Sequence, residues 1–200
     1  MEDIEIQLQE SIDTKKALLS THLDVVKKIA DAIVRAFKNG RRLYLIGNGG
    51  SAADAQHIAG ELIGRFKMNR RPLPAVALTT DTSVMTALAN DFGYDTCFAR
   101  QAEALVSPGD VILALSTSGN SKGILNAVQV SRERGAVAIG FTGKDGGLLK
   151  DVVDICLKIP STNTPRIQEC HITVGHILCS LIEKELFGNG TYVIKPAMGA

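Results

Sequence analysis

The chain has 200 residues, 45% of them hydrophobic and 22% charged, with a formal net charge of +1. That length favours one domain with a core of its own, and the charge balance leaves no global field to attract nucleic acid or an anionic membrane. The N-terminus, MEDIEIQLQE, is acidic and lacks the apolar stretch of a signal peptide. No apolar run reaches the length needed to span a bilayer. The four cysteines, Cys97, Cys156, Cys170 and Cys179, form no C-x-x-C pair and read as buried thiols of a reducing compartment. These observations point to a cytoplasmic protein that binds neither membrane nor nucleic acid.

Residues from Ile4 to Asn39 read as two helices. Val26, Ile29, Ile33 and Phe37 recur at helical spacing, flanked by Val25, Ala30 and Val34. Thr21 with Asp24 resembles a capping box that starts the second helix, and Gly40 ends it. This pair, residues 1–40, carries more apolar surface than a small single-sheet domain needs. Contacts with other subunits and packing on the domain's own sheet are the two ways to cover it. From Arg42 short apolar runs alternate with helical stretches. The runs Leu43–Ile46, Ala75–Leu78, Val111–Leu115, Ala136–Phe141 and Ile155–Ile159 read as strands. Helices are expected over Ser51–Phe66, Thr82–Ala89, Thr96–Leu105, Lys122–Arg134 and Pro165–Phe187. The strand sequences are almost continuously apolar, which suits strands buried on both faces of a parallel sheet. The densest basic patch, Lys67–Arg71, reads as a solvated loop. The tail from Gly188 to Ala200 has little periodicity, although Tyr192, Val193 and Ile194 give it something to pack.

The expected architecture is a single three-layer αβα sandwich. Its five-stranded parallel sheet has the flavodoxin-like order 2-1-3-4-5, with two helices ahead of it. In that order strands 1 and 3 flank the topological switch point, beyond whose carboxyl ends ligands bind. The loops expected there are the two most unusual in the chain. The first is Gly47-Asn48-Gly49-Gly50-Ser51. Its glycines allow positive φ and close backbone approach, and the helix that follows offers free N–H groups to an anion. The second, Ser116-Thr117-Ser118-Gly119-Asn120-Ser121, presents four hydroxyls and another helix start. Hydroxyls and backbone amides can together cradle a phosphate monoester. Plain turn chemistry, with Ser121 as an N-cap, is the simpler alternative. Gly47-x-Gly49-x-x-Ala52 also fits a dinucleotide fingerprint. The acidic residue that this pattern wants about 20 positions on is missing, since Asp81 lies more than 30 residues after Gly47. No Gly-Lys-Ser/Thr follows, so the loop is not a Walker A loop.

Acid–base and metal candidates lie on two helices. His57 and Glu61 are spaced i, i+4 and share a face, two to three turns beyond the first loop and within reach of a bound sugar's far end. Glu61 could equally pair with Arg65. On the last helix, which opens with Thr164 as N-cap and Pro165 at the first helical position, Gln168 and His176 share a stripe with Ile172. His171 lies off that stripe, at the surface or an interface. Two histidines, a glutamate and a glutamine would make a metal site if the helices meet. Imidazole and carboxylate suit zinc, whereas a Gln oxygen is an uncommon ligand.

Gly47-Asn48-Gly49-Gly50-Ser51-Ala52-Ala53-Asp54-Ala55-Gln56-His57 followed by Glu61 resembles the sugar isomerase (SIS) domain family, and within it the branch acting on seven-carbon sugar phosphates. Asn90-Asp91, the Ser116–Ser121 loop and Arg166-Ile167-Gln168-Glu169 continue the likeness over essentially the whole chain. The resemblance implies an aldose–ketose isomerase converting D-sedoheptulose 7-phosphate to D-glycero-D-manno-heptose 7-phosphate through an enediol(ate). That reaction is the first step toward ADP- or GDP-activated heptose for lipopolysaccharide core or surface glycans. It implies a cytoplasmic homotetramer, with one zinc ion per subunit on His57, Glu61, Gln168 and His176. Substrate contacts are implied at Asn48, Gly49, Gly50, Ser51, Glu61, Asn90, Asp91, Ser116, Thr117, Ser118, Ser121 and Gln168, with Glu61 and His176 as the acid–base pair. A binding-only cousin in the same family lacks Glu and His at the positions of Glu61 and His176; this chain has both.

Overall fold

The apolar runs after Arg42 pair into one sheet, which a computed structural model of the chain describes together with its helices over residues 1–188. Strands β1 (Leu43–Gly47), β2 (Ala75–Ala77), β3 (Val111–Leu115), β4 (Val137–Thr142) and β5 (Ile155–Lys158) are all parallel, in the order β2-β1-β3-β4-β5. β1 and β3 are buried along their whole length, which is why LYLIG and VILAL show no polar alternation. Their register sets Gly47 beside Leu115, the last residue of each strand. The loops that follow therefore leave the sheet side by side at the switch point.

One face of the sheet carries α2 (Leu23–Lys38), α3 (Gly50–Ile63) and α8 (Thr164–Phe187). Ile29, Ile33, Leu45, Ile58, Leu113, Val174 and Leu178 form a common core there. The other face carries α5 (Cys97–Leu105), α6 (Lys122–Glu133) and a one-turn α7 (Leu149–Val152) over Phe98, Ile112, Ile124 and Val128. The remaining helices are barely covered. α4 (Thr82–Phe92) has no buried residue. α1 (Glu2–Thr21) buries only Thr14 and Leu18 and exposes Ile4, Ile6, Leu8, Ile12 and Leu19. The two N-terminal helices thus differ: α2 settles on its own sheet, while the apolar face of α1 is open. Among the described residues, no helix is long and apolar enough to cross a membrane.

The structure departs from the sequence expectations in several places, beginning with α3, which ends at Ile63 rather than Phe66, and α4, which runs on to Phe92 rather than Ala89. Thr21 does not cap α2; it ends α1, where its hydroxyl bonds back to the Ala17 carbonyl, a local partner that outcompetes capping. α8 begins one residue early, so Asn163 holds the N-cap position and Pro165 stays in the first turn. α7 was not expected, because one turn leaves no periodicity to read. Arg70 is not part of a solvated loop: it is 2% exposed and paired with buried Glu183. His171 is fully buried, not at a surface. The expectation for Tyr192, Val193 and Ile194 lies outside the described residues.

Candidate active site

The first loop is cut to shape by its glycines. Gly49 has φ +54° at the N-cap of α3, a conformation side chains disfavour. A Cβ on Gly47 would lie 2.5 Å from the Ser51 carbonyl oxygen, so the turn closes only around glycine. Neither α3 nor α6 has a side-chain cap at its N-terminus, which leaves their first amides without that competitor for an anion. Ser121 occupies the α6 N-cap position, but its hydroxyl is used elsewhere: it accepts from Asn48 Nδ2 at 3.0 Å. Asn48 Oδ1 in turn accepts from Tyr94 Oη at 2.7 Å. One asparagine therefore ties the first loop to the second and both to the 3-10 turn Tyr94–Thr96. In the second loop Ser116 is buried, Thr117 is half-buried and Ser118 is exposed. Gly119, at φ +67°, presses against the Gly146 carbonyl, where a Cβ would lie 2.1 Å away. The loop after β4 thus backs the second loop and holds its shape.

The second part of the site is a cluster of side chains from α3 and α8. These helices approach closely because Gly175 faces Ile58: a Cβ at Gly175 would meet the Ile58 side chain at 2.7 Å. His57 Nε2 lies 3.2 Å from Glu61 Oε1 and 3.1 Å from His176 Nε2. One ligand atom from each of the three residues falls within 4.8 Å of the others. Two imidazole nitrogens at 3.1 Å need a proton or a cation between them. Tetrahedral zinc bonds of about 2.0–2.1 Å set neighbouring ligand atoms about 3.3 Å apart, so this donor set fits such an ion. The Phe66 ring stacks on His176, with centroids 5.5 Å apart and planes at 10°.

Gln168 stands eight residues before His176, about 12 Å along the helix at 1.5 Å per residue. Its amide lies against the start of α3, where a Cβ on Gly50 would be 2.6 Å from Nε2. It therefore neighbours the glycine loop, while His57, Glu61 and His176 form the cluster. Asn90 and Asp91 are exposed at the end of α4 and hydrogen-bond each other at 2.8 Å; Gly93, at φ +86°, then turns the chain into Tyr94. Sequence reasoning gave no site role to Tyr94, to Phe66, which it set at the end of the first-loop helix, or to the Arg70–Glu183 pair, since each acts through a contact with a distant segment. It also gave no role to Asp54, one turn before His57. Burial pushes that carboxyl upward, the His57 charge opposes the shift, and Oδ2 has no hydrogen-bond partner among the described residues.

His171 sits between the two parts on α8. Its ring packs on Phe141 and its Nε2 lies 3.3 Å from the Thr142 carbonyl. Burial lowers its pKa to about 4, with the Thr142 contact opposing the shift. Cys97, Cys170 and Cys179 are buried, and Cys179 is pushed up to about 12, first by burial and then by the charges of Glu61 and Glu183. Such thiols are inert.

Comparison with known proteins gives the family of this chain. Residues 8–143 match the family described as the SIS domain. A phosphoheptose isomerase from Roseiflexus is 51% identical over 181 residues, covering 90% of this chain and 92% of its own. One from Geobacter metallireducens is 51% identical over 186 residues, covering 93% and 98%. The solved structure of the phosphoheptose isomerase from Neisseria gonorrhoeae superposes with a TM-score of 0.88 at 39% identity, covering 92% of this chain and 98% of that one. The chain belongs to the SIS domain family and, within it, to the phosphoheptose isomerases.

Proposed function

We propose that the protein is a phosphosugar isomerase that converts D-sedoheptulose 7-phosphate to D-glycero-D-manno-heptose 7-phosphate. The observation that carries this reading is the convergence of His57, Glu61 and His176 beside two loops built for an anion. The phosphate is assigned to the α3 and α6 N-termini and to the hydroxyls of Ser51, Ser116, Thr117, Ser118 and Ser121, with Asn48, Gly49 and Gly50 closing the cradle. The sugar then extends along α3, so its carbonyl end, farthest from the phosphate, comes toward Glu61 and His176. Asn90, Asp91 and Gln168 are assigned to its hydroxyls.

Aldose–ketose interconversion moves a proton between C1 and C2 through an enediol(ate). Glu61 is the base that takes the carbon-bound proton and returns it to the neighbouring carbon, while His176 serves the oxygens. Each such group contributes about 10²–10⁴-fold. His57, Glu61 and His176 would hold one zinc ion per subunit; Gln168, whose amide lies against Gly50, would complete the set as a fourth ligand by turning from that loop toward them. When bound, the metal would polarise the substrate carbonyl and stabilise the enediolate oxygen.

The open apolar face of α1 and the uncovered α4 support a homotetramer. The unpaired thiols suit a cytoplasmic setting. The product would feed nucleotide-activated heptose for lipopolysaccharide core or surface glycans. Incubating the purified protein with sedoheptulose 7-phosphate and following the sugars by NMR tests the reading. Appearance of an aldoheptose phosphate is expected, lost on dialysis against chelator and restored by zinc. No conversion, with or without zinc, overturns it.

A further inference from the structure

The imidazole of His176 is held on two sides. His57 meets it edge-on, with centroids 4.9 Å apart at 70°, and Phe66 lies flat against it. Phe66 belongs to no helix or strand; it follows the end of α3 in an irregular stretch. Such a residue keeps a fixed ring plane only if its backbone is tied down. Here Glu183 does the tying. Its carboxylate accepts the amide N–H groups of Phe66 at 2.9 Å, Lys67 at 2.9 Å and Met68 at 3.0 Å, and Arg70 Nε at 2.9 Å.

The guanidinium of Arg70 in turn donates to the backbone carbonyls of Glu61 at 2.8 Å and Leu62 at 2.7 Å, capping the last turn of α3. Both side chains are 1% exposed or less. Burial opposes the charge of Glu183, but the three amides and Arg70 outweigh it and hold the carboxyl below its ordinary range. Glu183 lies seven residues after His176, two turns along α8 and on the same face. One helix thus carries both the imidazole and the carboxylate that fixes the ring against it.

A buried ion pair is a weak source of net stability. What this one yields is geometry: the backbone of Glu61 and the ring of Phe66 are fixed by the same two side chains. We propose that Phe66, clamped by Arg70 and Glu183, is a positioning residue that sets the ring plane of His176 and keeps its Nε2 aimed at His57 and Glu61. This inference rests on the acid–base reading of Glu61 and His176 given above.

The test compares Phe66→Leu, which removes the flat face, with Phe66→Tyr, which keeps it, in the full-length protein. Small misplacements of reacting groups carry large rate costs, so kcat for sedoheptulose 7-phosphate falls about 10-fold or more in Phe66→Leu. KM stays within about two-fold, because the phosphate cradle is untouched, and Phe66→Tyr restores kcat. Independently of turnover, the carbon-bound ring protons of His176 in metal-free protein lose their ring-current shift in Phe66→Leu and keep it in Phe66→Tyr. Phe66→Met is the substitute should the leucine variant not fold. Wild-type kcat in the leucine variant, with His176 signals that keep the wild-type ring-current shift, overturns the proposal, as does an equal loss in the leucine and tyrosine variants. If the wild type itself does not turn over this substrate, the functional reading fails, and the NMR arm still decides whether Phe66 orients His176.

Discussion

The two halves of the site are built in opposite ways. The cradle at the ends of β1 and β3 is mostly backbone: glycines, helix N-termini and short hydroxyls that the strand register sets side by side. The cluster farther along α3 is made of side chains from two helices, aimed by a buried clamp and a stacked ring. The backbone cradle is fixed by the sheet, by the loop after β4 packed behind it and by the Asn48 ties between its loops. Side chains on neighbouring helices need support, and here that support reaches into the loop after α3. Substitutions should therefore separate the halves: damage behind the cluster lowers stability and kcat, while damage to the cradle raises KM.

The largest effect on stability is expected at the clamp. Arg70→Met leaves Glu183 buried and uncompensated, and should cost about 3–5 kcal/mol, read as a lower urea midpoint with kcat falling alongside it. A loss below about 1 kcal/mol would mean that the loop holds itself and that the comparison is wrong on the cluster side.

Acid should probe the seam between the halves, where His171 lies. Its folded pKa is lowered to about 4 from 6.5. Between those values the unfolded chain binds a proton that the folded chain does not. Its contribution is complete above pH 6.5 and is lost as pH falls toward 4, about 3 kcal/mol in all. Urea midpoints measured from pH 6.5 to 4.5 should fall more in the wild type than in His171→Gln. Parallel curves would remove His171 from the acid response.

The smallest effect is expected in the cradle. Tyr94→Phe removes one hydroxyl from Asn48, worth about 1 kcal/mol. KM should rise several-fold with kcat and thermal midpoint nearly unchanged. A loss of kcat instead would show that the 3-10 turn serves the chemistry as well as the cradle.

Much of this molecule could be read from its residues. The strands and the two loops are legible from apolar runs and glycine placement, because strands buried on both faces are continuously apolar, whereas the order 2-1-3-4-5 is an assumed flavodoxin-like order that the sheet matches. His57 and Glu61 were legible as an i, i+4 pair, and His176 as half of a stripe on the last helix. What could not be read was anything depending on a contact between distant segments. Arg70 looked like one more cation in a basic patch, and only Glu183, 113 residues on, makes it a buried residue. Phe66 reads as the end of the first-loop helix, whereas that helix stops at Ile63 and the ring stacks on His176. His171 looked peripheral because helical spacing gives the angle of a side chain but not what lies opposite it. Gln168 is legible only as a member of the His176 stripe on α8; that its amide lies against Gly50 depends on the neighbouring helix.

The central claim is that Glu61 moves the carbon-bound proton. Sedoheptulose 7-phosphate turned over in D₂O reports this directly. The wild type should give aldoheptose phosphate carrying deuterium at C2 in the fraction of turnovers in which the proton held by Glu61 exchanges with solvent before it is returned. Glu61→Gln should lose turnover and exchange by about 10²–10⁴-fold while still folding and binding inorganic phosphate. Wild-type rates of exchange and product formation in Glu61→Gln would contradict the account.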